Sequence, residues 1–271
     1  MAERAAPVSF LDEIAALKRE DVERARGLRP LEGLKARARD RGPTRGFLRV
    51  LAGRKQPRLI CEMKRASPSR GPINAAADVT RRVRAYESAG AAAASILTDP
   101  HRFGGSLDDL RSAVEVCRLP LLRKDFVLDP YQVWETRAAG ADAVLLIVAM
   151  LERDLFRRLV DEASAAGLDA LIEVHTESDL QTAIDVNAPL IGINNRDLRT
   201  LKVSLDTSRR LLPCVPSSAV AVSESGIRTP AQVRELWALG ARAFLVGEAL
   251  MELGEERLPE SIAALTGALM P

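Results

Sequence analysis

Eight short apolar runs recur along this chain from Leu59 onward: Leu59–Met63, Ala94–Thr98, Leu119–Arg123, Ala143–Val148, Asp169–Val174, Pro189–Asn194, Ala219–Ser223 and Ala243–Val246. Successive runs start roughly 20 to 35 residues apart, the length of a strand followed by a helix. They are almost continuously apolar, which suits strands covered on both faces, as parallel strands are. The stretches between them are amphipathic or Ala-rich. Four of these end at Gly90, Gly140, Gly167 or Gly240, where glycine takes the left-handed conformation that stops a helix. Eight strand–helix units predict an α/β fold, a closed (β/α)8 TIM barrel, more naturally than an open doubly wound sheet. The open sheet is the alternative, but the first strand-to-helix turn lacks its Gly-x-Gly-x-x-Gly signature.

Residues 1–58 read differently. They carry 15 Lys and Arg against 8 Asp and Glu, a balance of +7 within a net charge of +2 for the whole chain. Ser9 is placed to cap a helix whose apolar residues Phe10, Leu11, Ile14, Leu17 and Val22 fall near helical spacing, and Leu31–Arg39 predicts a second helix. We expect 1–58 to form a helical extension packed on a barrel of residues 59–271, one domain overall. With aromatics at 4% of the chain, the arginines of the extension read as a solvated face rather than a nucleic-acid-binding arm.

A chain of 271 residues with 47% hydrophobic content has ample material for a core, which excludes a disordered or collagen-like protein. Cys61, Cys117 and Cys214 are odd in number and form no Cys-x-x-Cys pair. They are expected to be core thiols in a reducing compartment, not a disulfide framework or a structural zinc site. The N-terminal residues become charged before an apolar run reaches signal length. The longest apolar stretch, Ala143–Leu151, falls far short of the roughly 20 residues of a membrane span. The expectation is a cytoplasmic protein that binds neither membrane nor nucleic acid.

In a barrel of this kind reactive groups gather at the C-terminal ends of the strands. The first strand ends in Glu62 and Lys64, the third in Lys124 and Asp125, the fifth in Glu173, the sixth in Asn194 followed by Arg196, and the seventh in Ser223, Glu224 and Ser225. One such charge alone reads as a solvated rim residue. Several of both signs converging on one mouth are costly to gather unless used, and they perturb one another's proton affinities as acid–base chemistry requires. Glu62 and Lys64, two apart on a strand, share a face.

Ser225-Gly226-Ile227 after the seventh strand and Val246-Gly247-Glu248 after the eighth match the backbone loops that grip phosphate in such barrels, provided the Glu248 carboxylate turns away from the anion. The loop Arg65–Gly71 after the first strand is polar and punctuated by Pro and Gly. In it Ser67 is a candidate phosphate donor and the loop itself a candidate lid. His101 and His175, the only histidines, show no neighbouring partner for a catalytic triad or a zinc site.

Seven motifs occur in order: CEMKRASPSRG (61–71), SILTDPHRFGGS (95–106), LLRKDFVLDPYQV (121–133), LIEVHT (171–176), IGINNRDL (191–198), VSESGI (222–227) and FLVGEAL (244–250). Together they resemble the consecutive signatures of the indole-3-glycerol-phosphate synthase family over essentially the whole chain. The resemblance implies a barrel enzyme of tryptophan biosynthesis that closes the ring of 1-(2-carboxyphenylamino)-1-deoxyribulose 5-phosphate with loss of carbon dioxide and water, and that uses no metal or organic cofactor. It further implies that Lys124 is the general acid at the ketone oxygen. Glu173 stabilises developing positive charge and assists dehydration, and Lys64 contacts the substrate carboxylate, with Glu62 its neighbouring acid. Asn194, Arg196, Glu224 and Ser225 orient the substrate. Ser67, Gly226, Gly247 and Glu248 fall at phosphate-loop positions, and Phe103, Phe126, Leu145 and Leu198 form the apolar wall around the anthranilate ring. The resemblance leaves open how proton transfers divide among Lys124, Lys64 and Glu173.

Two other readings stand beside it. One is a phosphoribosyl isomerase-like barrel, which shares the last two loops but has no need of paired lysines. The other is a non-catalytic phosphosugar-binding barrel, which intact Lys64, Lys124 and Glu173 argue against. The expected partner is one phosphorylated small molecule, and the expected state a monofunctional monomer.

Overall fold

The computed structural model describes residues 10–269. Three helices come first: α1 (Phe10–Leu28), α2 (Leu31–Asp40) and α3 (Phe47–Leu51). Then come β1 (Arg58–Met63) and a small antiparallel hairpin of β2 (Ala66–Ser67) and β3 (Gly71–Pro72). Helices and strands alternate from there: α4 (Val79–Ser88), β4 (Ala93–Leu97), α5 (Leu107–Val116), β5 (Leu121–Lys124), α6 (Pro130–Ala139), β6 (Ala143–Ile147), α7 (Arg153–Ala165), β7 (Asp169–Val174), α8 (Glu177–Asp185) and β8 (Leu190–Asn194). The chain ends with α9 (Asp206–Leu211), β9 (Val220–Glu224), α10 (Pro230–Ala238), β10 (Ala243–Val246), α11 (Glu248–Met251) and α12 (Leu258–Thr266).

Strands β1 and β4 to β10 close into an eight-stranded barrel in which every neighbouring pair is parallel, β1 joining β10 on one side and β4 on the other. The eight expected strands are those of the barrel, with ends shifted by one or two residues. Pro120 has no N–H to give to a ladder, and β5 starts after it at Leu121. The four helix-stopping glycines all have positive φ, from +71° at Gly167 to +118° at Gly240. The expected Ser9 cap lies outside the described residues. The reading of all three cysteines as core thiols is corrected: Cys61 and Cys117 are buried, whereas Cys214 is exposed in the turn after α9. Among the described residues no helix is long and apolar enough to cross a membrane.

The barrel interior is filled by side chains such as Ile60, Leu122, Leu145, Leu171, Leu190, Val222 and Leu245, all essentially inaccessible. The extension covers both of its ends. At the N-terminal ends of the strands, α3 drives Phe47 and Leu51 against the interior cluster. Asp169 accepts the Leu48 N–H at 2.8 Å, and Asp142 accepts the Arg45 N–H at 2.7 Å, so backbone and plug are tied to the starts of β7 and β6. At the opposite end α1 lays Ile14 into the same cluster, with Phe10 edge-on to Phe126. Between them α2 runs along α6, where Arg41 donates to the Ala138 carbonyl at 3.1 Å.

Truncating Phe47 to alanine leaves a void beneath the barrel that a buried aromatic side chain now fills. We expect Phe47→Ala to lower stability by about 3 kcal/mol or more. Urea denaturation measures this, and a loss below about 1 kcal/mol would show that α3 does not seal the barrel.

Candidate active site

At the C-terminal ends of the strands the inward positions change from apolar to charged. Glu62 at the end of β1 and Lys64 just beyond it, Lys124 of β5, Glu173 of β7, Asn194 of β8 and Glu224 of β9 all face one cavity of about 340 Å³. The same cavity is lined by Phe103, Phe126, Leu145, Arg196, Leu198, Ser225, Gly226, Gly247 and Glu248. The site residues singled out in the sequence are therefore on its wall except two, Ser67 and Ser223. Ser67 is buried within the β2–β3 hairpin, its Oγ 3.5 Å from Ser69 Oγ, and is not among the residues that line the cavity. Ser223 is fully buried behind the wall, its Oγ 2.7 Å from Ser208 Oγ and accepting from Asn195 Nδ2 at 3.1 Å.

The centre of the site is Lys124. Its Nζ lies 2.6 Å from Glu173 Oε2 and 2.8 Å from Glu224 Oε2. Asn194 Nδ2 donates to the other oxygen of Glu173 at 3.0 Å. Burial alone would lower the proton affinity of Lys124, but the charges of Glu173, Glu224 and Glu62 outweigh it and hold the ammonium well above its ordinary pKa. Burial likewise acts against the Glu173 carboxylate, yet Lys124, His175 and the Asn194 amide keep it below its usual value. Glu224 behaves in the opposite way. Burial, with the charges of Glu173 and Glu62, overcomes its pairing with Lys124 and pushes it up to about 7. Its second oxygen, Oε1, is buried without a hydrogen-bond partner. A second ion pair sits beside this cluster, Lys64 Nζ to Glu62 Oε1 at 2.6 Å, as two side chains on one face require.

Two glycines make the crowding possible. A Cβ on Gly192 would collide with Glu224 Oε1, and one on Gly247 would collide with Glu62 Oε1.

After β9 the backbone turns sharply through Ser225 and Gly226, at φ +65° and +82°. Ser225 adopts a conformation unusual for a residue with a Cβ, of the kind that surrounding structure must hold in place. Asn195 does so, its Nδ2 lying 2.9 Å and 3.0 Å from the carbonyls of Glu224 and Ser225. On this side of the mouth the Glu248 carboxylate is held among arginines: Arg70 at 3.0 Å, Arg196 at 3.8 Å and Arg228. Arg196 also donates to Ser69 Oγ at 2.8 Å, which ties the hairpin across the cavity.

Several contributors are not legible in the sequence. Arg228 lines the cavity two residues beyond Gly226, where the only local signal is its place in the strand-9 loop. Asn195 stands beside Asn194 but carries no local sign of its role. Each histidine has one acidic neighbour: His175 Nε2 is 3.4 Å from Glu173 Oε1, and His101 Nε2 is 2.8 Å from Asp21 Oδ2. Glu173 and His175 are two apart along the chain at the end of β7 and so share a face, whereas no local spacing relates His101 to Asp21 on α1.

Below pH 7 Glu224 holds a proton and Lys124 has one charged partner, whereas above it a second carboxylate charge faces the ammonium. We expect ¹³C-labelled glutamate spectra to show one carboxyl titrating near pH 7 that disappears in Glu224→Gln. Its persistence in the variant would give the titration to another group.

The family model described as "Indole-3-glycerol phosphate synthase" matches residues 11–262. Among curated proteins, an indole-3-glycerol phosphate synthase of a Nocardioides species is 45% identical over 261 residues, covering 96% of this chain and 99% of the relative. That of Polaromonas naphthalenivorans is 43% identical over 249 residues, covering 91% and 95%. Among solved structures, 3-hexulose-6-phosphate synthase from Salmonella typhimurium superposes with a TM-score of 0.62 at 13% identity, covering 79% of this chain and 98% of that one. Thiamine phosphate pyrophosphorylase from Pyrococcus furiosus gives 0.58 at 16%, covering 83% and 96%. At those identities the structural likeness concerns the fold alone.

Proposed function

The chain belongs to the indole-3-glycerol phosphate synthase family, and from that premise we propose how its cavity performs the reaction. The enzyme is a decarboxylating lyase of amino-acid biosynthesis acting on a phosphorylated small molecule. It converts 1-(2-carboxyphenylamino)-1-deoxyribulose 5-phosphate to indole-3-glycerol phosphate, carbon dioxide and water.

The observation that carries our assignment is the Lys124 ammonium shared between Glu173 and Glu224 beside an apolar wall. Ring closure needs a proton at the ketone oxygen as the ring carbon bearing the carboxylate attacks the carbonyl carbon. Lys124 supplies that proton. Attack leaves positive charge on the anilino nitrogen and its ring, and the Glu173 carboxylate stabilises it. Loss of carbon dioxide returns the bonding electron pair to the ring. Dehydration then removes the new hydroxyl as water and a proton from the adjacent carbon. Glu173, charged and tethered by Asn194, takes part in that step.

Lys64, paired with Glu62, receives the substrate carboxylate before its release. Phe103, Phe126, Leu145 and Leu198 surround the aromatic ring. Arg196, Ser225 and Glu224 orient the ribulose chain. The turn at Gly226 and the backbone at Gly247 and Glu248 take the phosphate, whose remote binding energy holds a flexible chain in a reactive fold. The Glu248 carboxylate, occupied by Arg70 and Arg228, is drawn away from that anion. Residues 1–58 and 59–271 act as one unit in this reading, since α1 and α3 close the two ends of the barrel. The roles assigned above need no residue from a second copy, and we propose that the enzyme works as a monomer. A step of amino-acid biosynthesis on a charged phosphate ester supports a cytoplasmic enzyme.

Purified protein mixed with the carboxyphenylamino-deoxyribulose phosphate is expected to develop indole fluorescence. Lys124→Ala should abolish turnover, a fall of about 10²- to 10⁴-fold or more, with KM changed only a few-fold because the phosphate grip lies elsewhere. A variant with near-wild-type kcat would remove Lys124 from the acid role.

A further inference from the structure

Lys18 lies outside the cavity, on α1, yet it is 3% exposed. Its Nζ is 2.8 Å from Asp99 Oδ1 and 2.7 Å from Asp125 Oδ1. Asp99 follows β4 and Asp125 follows β5, so two carboxylates, both themselves buried, stand at the ends of adjacent parallel strands with one ammonium between them. Asp125 sits in sequence between Lys124 and Phe126, the acid and a wall residue of the site. Its Oδ1 also accepts the Phe126 N–H at 2.8 Å, and its Oδ2 accepts from Arg123 at 3.0 Å and from Thr98. Asp99 accepts the Arg102 N–H at 2.7 Å, but among the described residues Lys18 is its one cationic side-chain partner.

A lysine side chain filling space beneath a helix has no need of its charge, and burying that charge is unfavourable unless partners require it. Here they do. Burial by itself would lower the proton affinity of Lys18, and the charges of Asp125 and Asp99 raise it above its ordinary value, so the ammonium persists at neutral pH. Without it two buried carboxylates face each other with repulsion unrelieved on the Asp99 side. Both loops then shift, and with them the backbone that aims Lys124. The loop after β4 is tied to the same helix by His101 on Asp21 at 2.8 Å and by Arg102 on Glu13, and it carries Phe103, which packs against Phe126 at 6.1 Å.

We propose that Lys18 is a positioning residue for the reaction: by joining Asp99 to Asp125 it fixes the β5 end from which Lys124 and Phe126 reach the substrate. The proposal rests on the assignment of Lys124 as the acid. A misplacement of about 1 Å at a catalytic group can reduce rate about 10²-fold without direct contact.

The test is Lys18→Met in the full chain, which keeps the volume and removes the charge, with kcat and KM read from indole fluorescence at a temperature where circular dichroism shows the fold retained. The expected result is a fall in kcat of about 10²-fold with KM changed less than threefold. The charge-balanced Lys18→Met/Asp99→Asn variant should recover between a tenth and a half of the wild-type kcat. A lowered melting temperature with wild-type kcat in Lys18→Met would overturn the proposal and leave Lys18 a stabilising residue only. If Lys18→Met does not fold, the double variant decides alone: kcat between a tenth and a half of wild type supports the proposal, and any value outside that range overturns it. Lys124→Ala is run in parallel to separate the two claims. Turnover in that variant would sink the acid assignment, whereas an inactive Lys124→Ala with an unimpaired Lys18→Met would sink only the positioning claim.

Discussion

A single ammonium held between two buried carboxylates, Lys124 between Glu173 and Glu224, sets the demands that the rest of the molecule meets. Removing one such ion from water costs several kcal/mol, and the mutual attraction of the three offsets this only when their geometry is held. Geometry of that quality is available where rigid elements end side by side. Parallel strands closing into a ring place β5, β7 and β9 around one axis and point their last inward residues at a common point. The apolar interior below contributes the low dielectric that makes each charge act strongly on the others. It also explains why Glu224, with an unpartnered oxygen, is driven toward neutrality while Glu173, bonded on both oxygens, stays charged.

The barrel cannot seal itself, and the N-terminal extension solves this at both ends. Phe47 and Leu51 stop the bottom, where the strands begin. At the top α1 contributes Phe10 and Ile14 to the apolar rim and carries Lys18 to the two loop carboxylates. The basic character of residues 1–58 thus has a structural component: Lys18 and Arg45 each neutralise buried acids of the barrel, Asp99 and Asp125 at one end and Asp142 at the other.

The barrel was legible in the sequence because its signal is local and repeated. A strand covered on both faces is a run of apolar residues whatever its neighbours are, and glycine at a helix end is required by backbone sterics. The polar cavity residues are legible for the same reason, since strand ends can be counted from the strand itself, whereas the apolar wall of Phe103, Phe126, Leu145 and Leu198 is read only from the family resemblance. What escaped depends on distant partners. By spacing alone Lys18 reads as one more solvated charge of a basic N-terminal extension, because nothing local marks Asp99 and Asp125 as its partners.

Ser67 reads as a phosphate donor because a serine in a Gly/Pro-rich loop has that capacity; the loop folds into a hairpin in which Ser67 is buried beside Ser69 and does not line the cavity. Cys214 read as core because free cysteines usually are, yet it follows a short helix at the surface. Glu173→Gln tests the account most directly, because it keeps the shape and the Asn194 contact region while removing the charge that pairs with Lys124 and meets the developing cation. In a single-turnover experiment following both carbon dioxide release and indole fluorescence, the account predicts that each falls by about 10²-fold or more while substrate still binds. Release and fluorescence within a few-fold of wild type would contradict it.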